Sequence, residues 1–135
     1  MSKFITYQVE RQDYLFYVRA AIGGKDDRSK VVRLLVDTGA RKTVLPVKLL
    51  QECGYNINNP IRRIRVTAAG GVLHVPIIEI AWFNCLGTKL QAFQAIALDL
   101  PHSAGTDGLL GMDFLTEIGA IVNIEKMQII VKQKR

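Results

Sequence analysis

Short apolar blocks separated by glycine, proline and polar turns set the pattern of this chain, and long helical periods are scarce. Tyr14 to Ile22 (YLFYVRAAI) is rich in β-branched and aromatic residues and predicts a strand, with hairpin-forming residues in the GGKDDRSK that follows. Val31 to Val36 (VVRLLV) predicts a second strand, so nearly continuous in apolar residues that burial on both faces is expected. Thr43-Val44-Leu45 continues extended up to Pro46, which suits the first turn of a short helix, PVKLLQECG, capped by Gly54. Ile64 to Trp82 holds two strands around a tight tip at Ala69-Gly70-Gly71, with Trp82 expected in the core. Lys89 to Leu98 is a further strand, and LPHSAGTDG is a loop. Leu109 to Ile118 begins apolar between glycines and then turns helical, and GAIVNIEKMQIIVK closes the chain as a hairpin turning near Glu125-Lys126. The expected class is therefore mainly β with one or two short helices.

Composition narrows the functional classes. At 135 residues the chain is expected to form one domain, 1–135, and 49% hydrophobic with 22% charged residues is the balance of a globular protein. The net charge of +6 is spread thinly. Arg62, Arg63 and Arg65 form one group and Lys132, Lys134 and Arg135 a tail, neither interleaved with aromatics as a nucleic-acid stacking platform requires, so they read as solvated surface. Cys53 and Cys85 cannot make a disulfide framework, and with His74 and His102 they give no metal-ligand spacing. No metal and no cofactor is expected, and the thiols read as free in a reducing compartment. MSKFITYQVERQDY lacks the apolar core of a signal peptide and no apolar run is long enough for a membrane span, so the expected location is cytoplasmic.

The candidate chemistry lies in LLVDTGARKTVLP. An aspartate ending a buried strand is costly unless it is hydrogen-bonded or functional. A strand-ending turn with Asp37 accepting backbone N–H bonds ahead of Gly39 is one reading, and a chance Asp-Thr-Gly occurs in roughly a few per cent of chains this long. Context adds weight, because Ala40 follows, Thr43-Val44-Leu45 continues extended, and about seventy residues on comes DGLLGMDFL. With Asp37-Thr38-Gly39-Ala40 and Leu109-Leu110-Gly111 in this order, and the glycine-tipped hairpin between them, the chain resembles the retropepsin-like aspartic proteases, the single-lobed relatives of pepsin. The likeness runs from about Leu15 to Val131, and GLLGMDFL is closer to the cellular and bacterial members than to the viral ones.

That resemblance implies a closed β-barrel of the acid-protease type, assembled as a C2 homodimer that hydrolyses peptide bonds in extended polypeptide segments. Two facing carboxylates share one proton, so one can act as base on a water while the other acts as acid. The chain carries a single DTG, so the second carboxylate has to come from another copy. Thr38 would then link the two loops and Gly39 would admit the substrate backbone. Ala68, Ala69, Gly70, Gly71 and Val72 correspond to the flap, although they also fit a plain surface hairpin. The terminal segments, Ile5 to Val9 and Gln128 to Val131, are expected to contribute to the dimer, as in viral relatives.

The chain leaves the viral pattern at Arg41-Lys42, where acidic residues are usual, and at Met112, where an arginine is usual. A reversed ion pair between Arg41 and Asp113 is one expectation, a solvated Arg41 the other. Asp107, ahead of Gly108, reads as a turn residue, and His74 as structural or exposed. The alternative of another class is a peptide-binding or dimerisation module that keeps the fold without turnover. A nucleotide hydrolase of the dUTPase type would need a glycine-rich phosphate-contacting tail, which QIIVKQKR does not offer.

Overall fold

The computed structural model describes residues 3–101 and 106–133. Its framework is a sheet that closes on itself. β3 (Leu15–Gly23) pairs with β4 (Ser29–Val36), then the order continues through β9 (Gly108–Leu110), β5 (Val44–Leu45), β8 (Thr88–Ala97) and β7 (Gly71–Cys85), and β7 returns to β3. The closing register runs from Ala20 opposite Cys85 to Gly23 opposite Trp82. β2 (Glu10–Gln12) adds to the outside of β3, and β6 (Arg62–Ala68) pairs with the first half of β7 as a projecting hairpin. Two short helices, α1 (Val47–Glu52) and α2 (Met112–Glu117), complete the mainly β architecture expected from the sequence.

Closure explains the burial pattern. Val32 and Leu34 of β4 point inward and are buried, while Val31 is 65% exposed and Arg33 lies over the Tyr17 ring at 3.8 Å. The expectation that Val31 to Val36 is buried on both faces is therefore wrong: a barrel strand has one inner and one outer face, whereas double burial belongs to sheets covered by helices on both sides. Inside, Phe83 and Phe93 stack with centroids 4.6 Å apart, and Phe114 from α2 meets Phe83 edge-on at 5.0 Å. Trp82 also departs from expectation. It is only half-buried, packs against Gly23 and carries Lys89 over its ring at 4.6 Å.

A second apolar cluster lies apart from this core. Val44, Val75, Ile77 and Ile96 are buried in it, with Ile64, Val66, Leu98, Leu100 and Leu109 packed around them. Cross-strand pairing places Ile64 opposite Val75 and Val66 opposite Leu73, so one face of the β6–β7 hairpin root is aliphatic. The other face carries Arg63 opposite Pro76 and Arg65 opposite His74.

The termini form a separate sheet. β11 (Gln128–Gln133) pairs antiparallel with β1 (Lys3–Gln8) on one side and with β10 (Ile121–Asn123) on the other. Tyr7 sits opposite Ile129, and the buried Ile129 and Val131 join the barrel core. The segments expected to meet across a dimer thus pair with each other within one chain. The β10–β11 turn spans Ile124 to Met127, where the sequence places it, with the Lys126 N–H donating to Asn123 Oδ1.

α1 is held at both ends. The Val47 N–H donates to Asp99 Oδ1 at 2.9 Å, and Gly54 takes φ +91, the left-handed conformation expected after a helix. Beyond it, the Tyr55 hydroxyl donates to the Gly23 carbonyl and accepts from the Ala81 N–H, tying the helix exit to the barrel seam. Burial pushes the pKa of the Tyr55 hydroxyl and of the Cys53 thiol up, making both weaker acids.

Burial also pushes the Cys85 thiol up to about 12, against 9.0 for an ordinary thiol. Below 9.0 the thiol is protonated whether the chain is folded or not. As pH rises from there towards about 12, only the unfolded chain gains by releasing the proton, so stability falls. The expected loss from this group is about 1.4 kcal/mol per pH unit. Urea unfolding across the alkaline range should show a shallower decline for Cys85→Ala than for the wild type, and equal slopes would contradict this assignment.

Candidate active site

Three strand ends create the site. β4 and β9 run parallel, with Leu35 beside Leu109 and Val36 beside Leu110, while β5 meets β9 antiparallel at Val44 and Leu109. The pairing reaches one residue past β4, because the Asp37 N–H donates to the Leu110 carbonyl at 3.0 Å. The chain then turns. Asp37 Oδ1 accepts from the Gly39 N–H at 2.9 Å, and the Ala40 N–H donates to the Asp37 carbonyl at 3.1 Å. One carboxylate oxygen thereby fixes the side chain. Thr38 and Gly39 are exposed at the tip, and a Cβ on Gly39 would sit 3.2 Å from Asp37 Oδ1.

Register also says what Asp37 faces. Alternation puts it on the same side as Leu35, whose parallel neighbour is Leu109, and Leu109 packs with Val44 in the second apolar cluster. The candidate carboxylate and the aliphatic patch under the hairpin therefore share one face. At the hairpin end, Ala68 pairs with Gly71, Ala69-Gly70 makes the tip, and Gly71 takes φ +123. Nothing lies within 4 Å of a Cβ built on Gly70 or Gly71, and Val72 is half exposed, so the tip projects into open space.

The loop is braced from below by residues far along the chain. The Met112 N–H donates to the Ala40 carbonyl at 2.8 Å and the Asp113 N–H to the Arg41 carbonyl at 3.1 Å. Thr43, fully buried, gives its hydroxyl to Asp113 Oδ1 at 2.8 Å and its N–H to the same carboxylate at 3.0 Å. The Phe114 N–H donates to Asp113 Oδ1 at 2.8 Å, and the Gly111 N–H donates back to Thr43 Oγ1 at 3.2 Å. The crossing is so close that a Cβ on Gly111 would lie 2.5 Å from the Lys42 carbonyl carbon, and one on Gly108 would lie 2.2 Å from the Val44 oxygen. Only glycine fits at either position.

This geometry corrects the expected Arg41–Asp113 ion pair. Positions 41 and 113 are joined through the main chain, while the Asp113 carboxylate turns inward onto Thr43. Arg41 is exposed, and the ion pairs among the described residues are Arg19–Glu10, Arg33–Glu10 and Lys30–Glu52. Sequence reasoning missed Thr43 as a site residue. Its signal was a lone hydroxyl in an extended stretch between Lys42 and Val44. Asp107 and His74 are exposed, while His102 lies outside the described residues. Among the described residues no group of His, Cys, Asp and Glu could hold a metal ion, and no helix is long and apolar enough to cross a membrane.

Removing the Thr43 hydroxyl should leave the Asp113 carboxylate short of a donor and the Gly111 N–H without an acceptor. Thr43→Val is expected to cost about 1–3 kcal/mol of stability. Thr43→Ser should retain most of it. Urea unfolding of the two variants checks this, and a loss in Thr43→Ser with little or none in Thr43→Val would show that the methyl rather than the hydroxyl matters.

Comparison with known proteins agrees with this arrangement. A family model described as aspartyl protease matches residues 18–114, from β3 through the Asp37 turn and the hairpin to Phe114. No curated protein matches the chain. Among solved structures, the crystal structure of a retropepsin-like aspartic protease from Rickettsia conorii is similar at 18% identity, with 98% of this chain and 93% of that chain covered and a TM-score of 0.65. The ring of strands, the two short helices and the crossed loops around Asp37 are thus the retropepsin-like fold, and this chain belongs to the aspartyl protease family.

Proposed function

We propose that the protein is a homodimeric aspartic endopeptidase formed by one domain, 1–135, in which Asp37 of each copy supplies half of the catalytic pair. The observation that carries this reading is the Asp37 turn itself: a carboxylate anchored through Oδ1 to the Gly39 N–H, with Thr38 and Gly39 exposed beside it. An exposed turn at the tip of a rigid crossing can approach its own symmetry mate, and a C2 axis through it pairs like with like. Thr38 would bond across that axis.

In the pair, one proton is shared because two facing carboxylates cannot both ionise cheaply. The ionised Asp37 takes a proton from water as the water oxygen attacks the scissile carbonyl carbon, and the protonated Asp37 gives its proton to the carbonyl oxygen. Collapse of the tetrahedral intermediate breaks the C–N bond, with the amine leaving group receiving a proton from the dyad. The substrate would lie extended against the apolar face, held by main-chain hydrogen bonds as an added strand, with the tip from Ala68 to Val72 closing over it. Ala40, Leu109, Leu110 and Gly111 support the loop from behind. The free, buried Cys53 and Cys85 suit a reducing, cytoplasmic setting.

Incubation of the purified protein with a peptide library should give cleavage within extended apolar segments, rising with protein concentration as dimers form. Asp37→Asn should remove cleavage while leaving the fold and self-association unchanged. Cleavage that survives Asp37→Asn would overturn the reading, and peptide binding without cleavage in the wild type would favour the alternative of a binding module.

A further inference from the structure

Two cations follow the candidate carboxylate closely in sequence and make no ion pair among the described residues. Arg41 and Lys42 follow the Asp37 turn directly, Arg41 exposed and Lys42 half-buried. The three ion pairs among the described residues lie elsewhere, on Glu10 and Glu52. Neighbouring carboxylates are already committed, Asp113 to Thr43 and Phe114, and Asp99 to the Val47 N–H. Lys42 lies in the bend just before β5, two positions ahead of Val44, which is buried in the aliphatic patch. A half-buried lysine keeps its stem on neighbouring apolar surface and presents its charge to solvent.

We propose that the cleft selects peptide segments carrying acidic side chains on both flanks of the cleaved bond, drawn by Arg41 and Lys42. Both flanks are involved because a second copy presents the same two residues at the symmetric position. An extended segment rises about 3.3 Å per residue, so long cationic side chains reach acids within about three positions of the bond. The selection rests on the endopeptidase reading for where the segment lies. Attraction of this kind is strongest at low salt.

The test uses matched peptides with one aliphatic centre and Asp or Glu, Asn or Gln, or Lys at each flanking position. kcat/KM is measured for the wild type, for Lys42→Gln and for the double variant Arg41→Gln/Lys42→Gln, after thermal melting shows each to be folded. Binding of the same peptides to Asp37→Asn is followed by fluorescence anisotropy. Acidic peptides should be preferred over their amides by about tenfold at low salt, at symmetric positions, and that ratio should fall towards one in the double variant. Equal rates across the series, a preference for lysine, or a ratio unchanged in the double variant would overturn the proposal. Preferential binding of acidic peptides to Asp37→Asn with no wild-type cleavage would uphold the selection and end the endopeptidase reading. Cleavage without acidic preference would do the reverse.

Discussion

The buried link from Thr43 to Asp113 is the constraint on which the site depends. It joins two segments seventy residues apart in sequence at the point where the chain crosses itself, with the Asp113 carboxylate accepting from both the hydroxyl and the N–H of Thr43. Thr43 is the buried polar residue among the described side chains, so this link works in a poorly solvated setting where an unmade bond is costly. The Met112 and Asp113 N–H groups bond the carbonyls of Ala40 and Arg41 just beside it, fixing the far end of the Asp37 turn. The near end is fixed by the Leu110 carbonyl. Between these anchors, Asp37 has little freedom.

The barrel exists to make that crossing possible. Gly108 and Gly111 let strand ends approach closer than any Cβ allows, and the Phe83, Phe93 and Phe114 cluster packs α2 against the barrel so that Asp113 points at Thr43. Moving outward, one face of the crossing carries Asp37 with Leu35 and Leu109, and the hairpin root packs on the same aliphatic patch. Positioning of the carboxylate and of the aliphatic patch are thus two results of a single strand arrangement.

Local features were legible in the sequence. The turn at Asp37-Thr38-Gly39, the glycine-tipped hairpin, the short helix after Pro46 and the apolar pair before Gly111 each announce themselves through neighbouring residues. What was not legible depends on distant partners. Asp113 looked like a surface carboxylate in search of a cation, because nothing nearby in sequence reveals a hydroxyl donor seventy residues away. β4 looked doubly buried because apolar residues on an outer barrel face cannot be told by composition from residues facing a helix layer. The pairing of β1 with β11 joins the two ends of the chain, and β1 is mostly exposed, so it carries little hydrophobic signal. Those ends pair within one chain, and the Thr38-Gly39 turn stays exposed.

The central claim is that the site is half a site until a second copy completes it. Mixing wild-type protein with increasing Asp37→Asn protein, at fixed total concentration and after subunit exchange, tests this directly through the cleavage rate. If both carboxylates are needed, the rate falls as the square of the wild-type fraction, to about a quarter at equal mixing, because only dimers with two intact copies turn over. A rate falling in simple proportion to the wild-type fraction would mean that one Asp37 suffices, and would contradict the account.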